Sequence, residues 1–138
     1  MTTMDKVVSL HKYYLWATYM AAAFEKEMPK ITRPISWADP QALNAFMFMS
    51  YWYATLYVGA EGWQDLGLTD PGVDVLLTDP HLALLKRYRH AVFHFQADYF
   101  DERYRGFTDQ GTKAITWVNS LHAAFTAYFQ RWFGTPQS

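Results

Sequence analysis

The stretch MDKVVSLHKYYLWATYMAAAFEKEM, residues 4–28, carries apolar side chains at Val7, Leu10, Tyr14, Ala17, Ala21, Phe24 and Met28. Their spacing alternates between three and four, the period of one face of an α-helix. Pro29 supplies a stop just beyond. A second stripe, Tyr13, Trp16, Met20 and Ala23, runs beside the first. A helix with two adjacent apolar stripes calls for two packing partners. The rest of the chain repeats this logic. Asp39 offers an N-cap oxygen and Pro40 the favoured first helical position, which predicts a second helix over 40–57. One of its faces is Leu43, Phe46, Ser50, Tyr53 and Tyr57; another is Met47, Tyr51, Ala54 and Val58. Gly59, Gly62 and Gly67 read as its end. Residues 61–79 read as loop with one short helical turn at 73–77. Asp79-Pro80 repeats the start signal, and a third helix is expected over 80–99 with the stripe Leu85, Tyr88, Val92, Phe95 and Tyr99. Gly106 and Gly111 bracket a loop. A fourth helix over 112–133 carries Trp117, Leu121, Phe125, Tyr128, Phe129 and Trp132, with Gly134 and Pro136 as stop signals. No strand run, internal repeat or low-complexity tract interrupts the pattern. The expectation is an all-α protein, a four-to-five-helix bundle forming a single domain over residues 1–138.

The composition sharpens that reading. Hydrophobic types make up 51 % of the 138 residues and aromatics 19 %, while charged residues are only 18 %, against about 25 % in an average soluble domain. Disorder is excluded, because it needs low hydrophobicity and high net charge. Twelve Lys and Arg against 13 Asp and Glu leave a net charge of −1, so no global field attracts phosphates. With no cysteine, disulfides, thiolate metal sites and cysteine nucleophiles are excluded. The run from Pro40 to Ala60 is uncharged and long enough to span a bilayer. Gln41, Asn44, Ser50, Thr55 and tyrosines 51, 53 and 57 are spread along it instead of gathering at its ends. It reads as a helix buried on more than one side, not as a membrane span. No secretory signal opens the chain, and a cytoplasmic protein is expected. The aromatic surplus exceeds what one small bundle buries, which points to a homodimer.

The scarce positive charge is concentrated in Lys86-Arg87-Tyr88-Arg89-His90-Ala91-Val92-Phe93-His94. At about 100° per residue, Arg89, His90 and His94 fall on the helix side away from the core stripe, with Phe93 and Ala97 among them. A phenylalanine set among a guanidinium and two imidazoles fits a groove or a subunit interface. Arg89-His90-Ala91-Val92-Phe93-His94 resembles the Arg-polar-x-x-x-His signature of HEPN domains, in which Asn, Asp or His follows the Arg. The resemblance covers those six residues, their place on a late helix, the chain length and the all-α pattern.

That resemblance implies a dimeric all-α domain that binds RNA or a nucleotide at a cleft shared by two protomers. Many such domains are metal-independent endoribonucleases, and some are toxins paired with an antitoxin-like protein. It implies catalytic roles for Arg89, His90 and His94. Cleavage by the neighbouring 2′-hydroxyl needs a base and an acid, and imidazole serves as either because its ordinary pKa is about 6.5. His94 is then the acid or base, Arg89 the clamp on the charged transition state, and His90 the group that orients the phosphate or His94. Lys86 and Arg87 would guide the RNA backbone. This chemistry calls for no metal and no cofactor. Three other readings stand beside it. One is a solvated helix face whose charges are balanced by Asp101 and Glu102. Another is a non-catalytic helical dimer that binds a small ligand or a protein partner. The third pairs His90 and His94 at i,i+4 around a metal, with His11 or His122 completing the set, as in DinB-type bundles, to which residues 10–17 are similar. His11 and His122, each among aromatics, otherwise read as packed, hydrogen-bonded histidines. The surplus apolar stripes make the first expectation measurable: light scattering should return a stable dimer, and a monomer at micromolar concentration would remove the basis for a shared cleft.

Overall fold

A computed structural model describes residues 1–32, 34 and 39–134. Its elements are α1 (Thr3–Glu27) followed by a short 3-10 turn (Met28–Lys30), α2 (Pro40–Asp65), α3 (Pro71–Leu77), α4 (His81–Phe93), α5 (Glu102–Thr108) and α6 (Thr112–Phe133). The described residues are thus all-helical, in six helices where four or five were expected. The Pro136 stop signal lies outside the described residues.

Local chemistry accounts for most of the boundaries. Thr2 and Asp5 form a reciprocal capping box at the start of α1, with Asp5 N–H donating to Thr2 Oγ1 at 3.1 Å and Thr2 N–H to Asp5 Oδ2 at 2.9 Å. Asp39 accepts from the Gln41 N–H at 3.0 Å with Pro40 in the first turn of α2, as the sequence predicts. Asp70 and Pro71 begin α3 in the same way, Asp70 Oδ2 accepting from Val73 N–H at 3.1 Å. Gly106, which reads as the edge of a loop, lies inside α5, and two helix ends differ from the expectation. α2 does not stop at Tyr57 but runs through Gly59 and Gly62 to Asp65, and the chain turns at Gly67, whose φ is +67°. Gly62 belongs inside the helix for a packing reason: a Cβ there would meet Leu10 Cδ1 at 3.0 Å, so the glycine lets α1 lie close.

The other difference is at α4, which ends at Phe93 and not at Tyr99. Phe95 and Tyr99, expected in the core stripe, are 94 % and 44 % exposed. Two causes act together. Asp98 accepts from the Phe100 N–H two residues on (3.0 Å), which favours a turn over helix, and Asp101 accepts from the Arg103 N–H (2.9 Å) as the N-cap of a new helix, α5. The chain then folds back as α5, and its Tyr104 and Phe107 rings take the places against Tyr88 that Phe95 and Tyr99 would have filled, at 5.4 and 6.0 Å.

α1 and α2 are antiparallel, with Lys6 near Leu66, Leu10 near Gly62 and Phe24 near Trp52. α6 lies antiparallel to α1, while α4 packs on the other flank of α2. One apolar cluster draws on all six helices, including Val7, Leu56, Trp63, Val73, Leu85, Phe107 and Leu121. Of the stripe expected on the first helix, Val7, Leu10, Ala17 and Ala21 are buried. The neighbouring stripe is only partly covered: Tyr13, Met20 and Ala23 are half-buried, Met20 against the core, while Trp16 is 49 % exposed. On α6 the expected stripe is buried except for Trp132. No helix among the described residues is long and apolar enough to cross a membrane, in keeping with the reading of Pro40–Ala60 as a buried helix.

The polar ends of the buried aromatics join helix to helix. Trp63 Nε1 donates to Asp74 Oδ1 on α3 at 2.9 Å, and Trp117 Nε1 to the Leu76 carbonyl at 3.1 Å. Tyr104 donates to the Ala91 carbonyl at 2.8 Å. Tyr88 is fully buried, and its hydroxyl lies 2.9 Å from Ser50 Oγ on α2. Burial pushes the Tyr53 hydroxyl up to about 12 and Tyr88 higher still. Tyr88→Phe should therefore cost about 1 kcal/mol in urea unfolding, and adding Ser50→Ala should cost less than the sum of the single changes, because both remove one shared bond.

Candidate functional site

The motif of residues 86–94 straddles the end of α4, and this changes its geometry. The His94 N–H still donates to the His90 carbonyl at 3.1 Å and closes the last turn, but His94 itself has the extended angles φ −126°, ψ 133°. His94 is thus a C-cap residue and not part of an outward helical face. Its side chain nevertheless returns to His90. The two imidazoles stack with centroids 4.2 Å apart and planes 22° from parallel, and both residues are exposed. Some loss of solvation beside its neighbours, then the His94 ring and the guanidiniums of Arg103 and Arg89, lower the His90 pKa; Asp101 opposes them.

Arg89 does not share that exposed face as the wheel implied. It is half-buried, with its guanidinium 5.1 Å over the Tyr57 ring and 3.8 Å from Glu61 Oε2, both on α2. Its Nε is buried without a hydrogen-bond partner among the described residues. Burial and the Glu61 charge raise the Tyr57 pKa, while Arg89 opposes them. Arg87 is held by Glu102 of α5, one of the two acidic residues the sequence offered for charge balance. Lys86 is exposed on the same helix. Phe93, the outward phenylalanine, lies against Tyr51 of α2 at 6.1 Å.

Residues that the sequence did not single out position this turn. Gln96 Nε2 donates to the His94 carbonyl at 2.9 Å, and Arg103 Nη1 donates to Gln96 Oε1 at 2.9 Å. Arg103 also pairs with Asp101 at 3.2 Å. The bond from the Arg103 backbone, followed by the Arg103 charge, holds the Asp101 carboxyl below its usual range. The available signal is Asp98, a turn-forming residue inside a region that reads as helix, and Asp101 just beyond that region, which caps α5. Beside His94 lies an open hollow of about 310 Å³ walled by Phe46, Phe93, Gln96, Tyr99 and Tyr104.

The histidines proposed to complete a metal set are engaged elsewhere. His11 lies among the Tyr14, Phe129 and Phe133 rings, and burial lowers its pKa. His122 lies between α1 and α2, bonded to Thr18 at 3.0 Å and Trp52 at 2.9 Å. Among the described residues no three His, Cys, Asp or Glu side chains gather as metal ligands would. No family model matches the chain, and neither a curated protein nor a solved structure matches it.

The stacked pair makes a spectroscopic prediction. In an NMR pH titration His90 should titrate below about 6.5, and in the His94→Ala variant its midpoint should rise, because one source of the depression is gone.

Proposed function

We propose that this chain is a HEPN-like, RNA-directed protein that works in the cytoplasm as a homodimer and cleaves RNA through its histidine pair. The observation that supports the reading best is the exposed His90–His94 stack beside an open hollow. A deprotonated His90 suits the base that takes the proton from the 2′-hydroxyl. The 2′-oxygen then bonds to phosphorus, and the bond from phosphorus to the 5′-oxygen breaks. An imidazolium from a His94 protonates the departing oxygen. The products are a 2′,3′-cyclic phosphate and a 5′-hydroxyl.

Attacking and leaving oxygens lie in line on opposite sides of phosphorus. Two rings stacked 4.2 Å apart on one side cannot serve both. Base and acid therefore come from different copies of the chain, which makes the dimer part of the chemistry. The exposed apolar side chains nearby, Met47 and Tyr51 of α2 with Phe93, suit such a contact. Arg89 would clamp the phosphorane charge after exchanging its 3.8 Å contact with Glu61 for the substrate. Lys86 and Arg87 would steer the backbone, Arg87 by releasing Glu102.

A second reading has its own support. Arg87, Arg89 and Arg103 each already face a carboxylate, which suits a dimer that binds a protein or nucleotide without cleaving RNA.

RNA digestion in EDTA separates them. Cleavage should leave 2′,3′-cyclic ends, and His94→Ala, His90→Ala and Arg89→Ala should each lower it about 10²–10⁴-fold. The acid limb of kcat/KM should fall below about pH 6.5, following the depressed His90. Undiminished cleavage by His94→Ala would sink the assignment, and binding without cleavage would favour the second reading.

A further inference from the structure

A second hollow, sharing no lining residue with the first, opens between α1 and α6. α1 presents Thr18, Ala21, Ala22 and Glu25 to it, and α6 presents Asn119, His122, Ala123 and Thr126. Both sets fall at i, i+3, i+4 and i+7, one face of each helix. Where the two helices meet further along, Tyr14 packs on Phe129 at 4.9 Å and His11 on Phe133 at 4.5 Å. Here three alanines replace such rings. The seam stays open as a cavity of about 340 Å³ with Trp52 of α2 as its inner wall.

The hydrogen bonds fix the charge of that wall. Trp52 Nε1–H can only donate, so His122 Nδ1 accepts at 2.9 Å and carries no proton. His122 Nε2–H therefore donates to Thr18 Oγ1 at 3.0 Å, and the Thr18 hydroxyl passes on to the Tyr14 carbonyl at 2.9 Å. Thr126 likewise donates to the His122 carbonyl at 3.0 Å and accepts from Tyr14 at 2.8 Å. The histidine is neutral, and both hydroxyl protons are committed inward. No lysine or arginine lines the cavity, and its one formal charge is Glu25. Glu25 and Asn119 have no hydrogen-bond or ionic partner among the described residues. The Asn119 amide offers donors as well as an acceptor, so the unpaired carboxylate, with no cation beside it, decides the sign: the pocket disfavours anions and favours a compact cation with a short apolar body against the indole.

We infer that the α1–α6 cavity is a binding site for a small organic ammonium ion, its charge on Glu25 and its hydrocarbon over Ala22, Ala123 and Trp52. The test titrates n-butylammonium into the intact protein and follows the Trp52 indole N–H in ¹H–¹⁵N spectra, with butyrate and 1-butanol as probes of opposite and no charge. Butylammonium should shift that signal saturably and the other two should not. Glu25→Gln should weaken binding about tenfold or more, as loss of a charged hydrogen bond does. Ala22→Leu, on an exposed helical position that keeps the fold, should fill the cavity and abolish binding while circular dichroism stays unchanged. No saturable shift, equal shifts with butyrate or butanol, or wild-type affinity in both variants would overturn the assignment.

Discussion

Aromatic side chains fill this core, and most of the tryptophans and tyrosines buried there bring a polar end that finds a partner, the Tyr53 and Tyr128 hydroxyls being the exceptions among the described residues. An unpaired buried donor costs about 1–3 kcal/mol, so the requirement restricts which helices can be neighbours. Trp63 reaches α3 through Asp74, Trp52 reaches α6 through His122, and Trp117 reaches back to the end of α3. Tyr88 ties α4 to α2, Tyr104 ties α5 to α4, and Tyr14 ties α1 to α6. Area burial alone would tolerate a helix rotated or slid by a residue. These bonds would not, because each joins particular atoms on different elements. The short helices owe their places to the same rule: α3 is fixed by two indoles and α5 by one phenol.

Much of this was legible in the sequence because burial on one helical side leaves a periodic mark. The stripes that run from Val7 to Met28 and from Trp117 to Trp132 locate α1 and α6, and the Asp-Pro signals locate the starts of α2 and α4. What was illegible depends on partners distant in the chain. Gly62 reads as a helix end, yet it is the point where Leu10 comes close. Phe95 and Tyr99 keep the helical period, yet Tyr104 and Phe107 occupy the core beside Tyr88. Periodicity reports that a side chain is apolar, not whether another ring has already taken its place.

The candidate site divides along the same line. The closeness of His90 and His94 follows from their spacing and survives the end of the helix, because the chain still closes a turn between them. The direction of Arg89 does not follow from spacing. Glu61 and Tyr57 on α2 draw it off the face that a helical wheel assigns to it. The supports of the turn are hidden for two reasons: Gln96 lies in a stretch that reads as helix, and Arg103 lies beyond it on α5, which leaves no periodic mark of its own.

His122 has both ring nitrogens engaged in a neutral arrangement at the meeting point of α1, α2 and α6. Its pKa is lowered by burial, so folding opposes its protonation while the unfolded chain takes up a proton readily. The stability this contributes is complete above about pH 6.5 and drains away as the pH falls toward the folded value. An imidazolium there would turn its Nδ1–H against the Trp52 N–H, two donors face to face. Acid would therefore weaken the bundle at a three-helix junction, where one protonation sets donors against each other on α2 and α6.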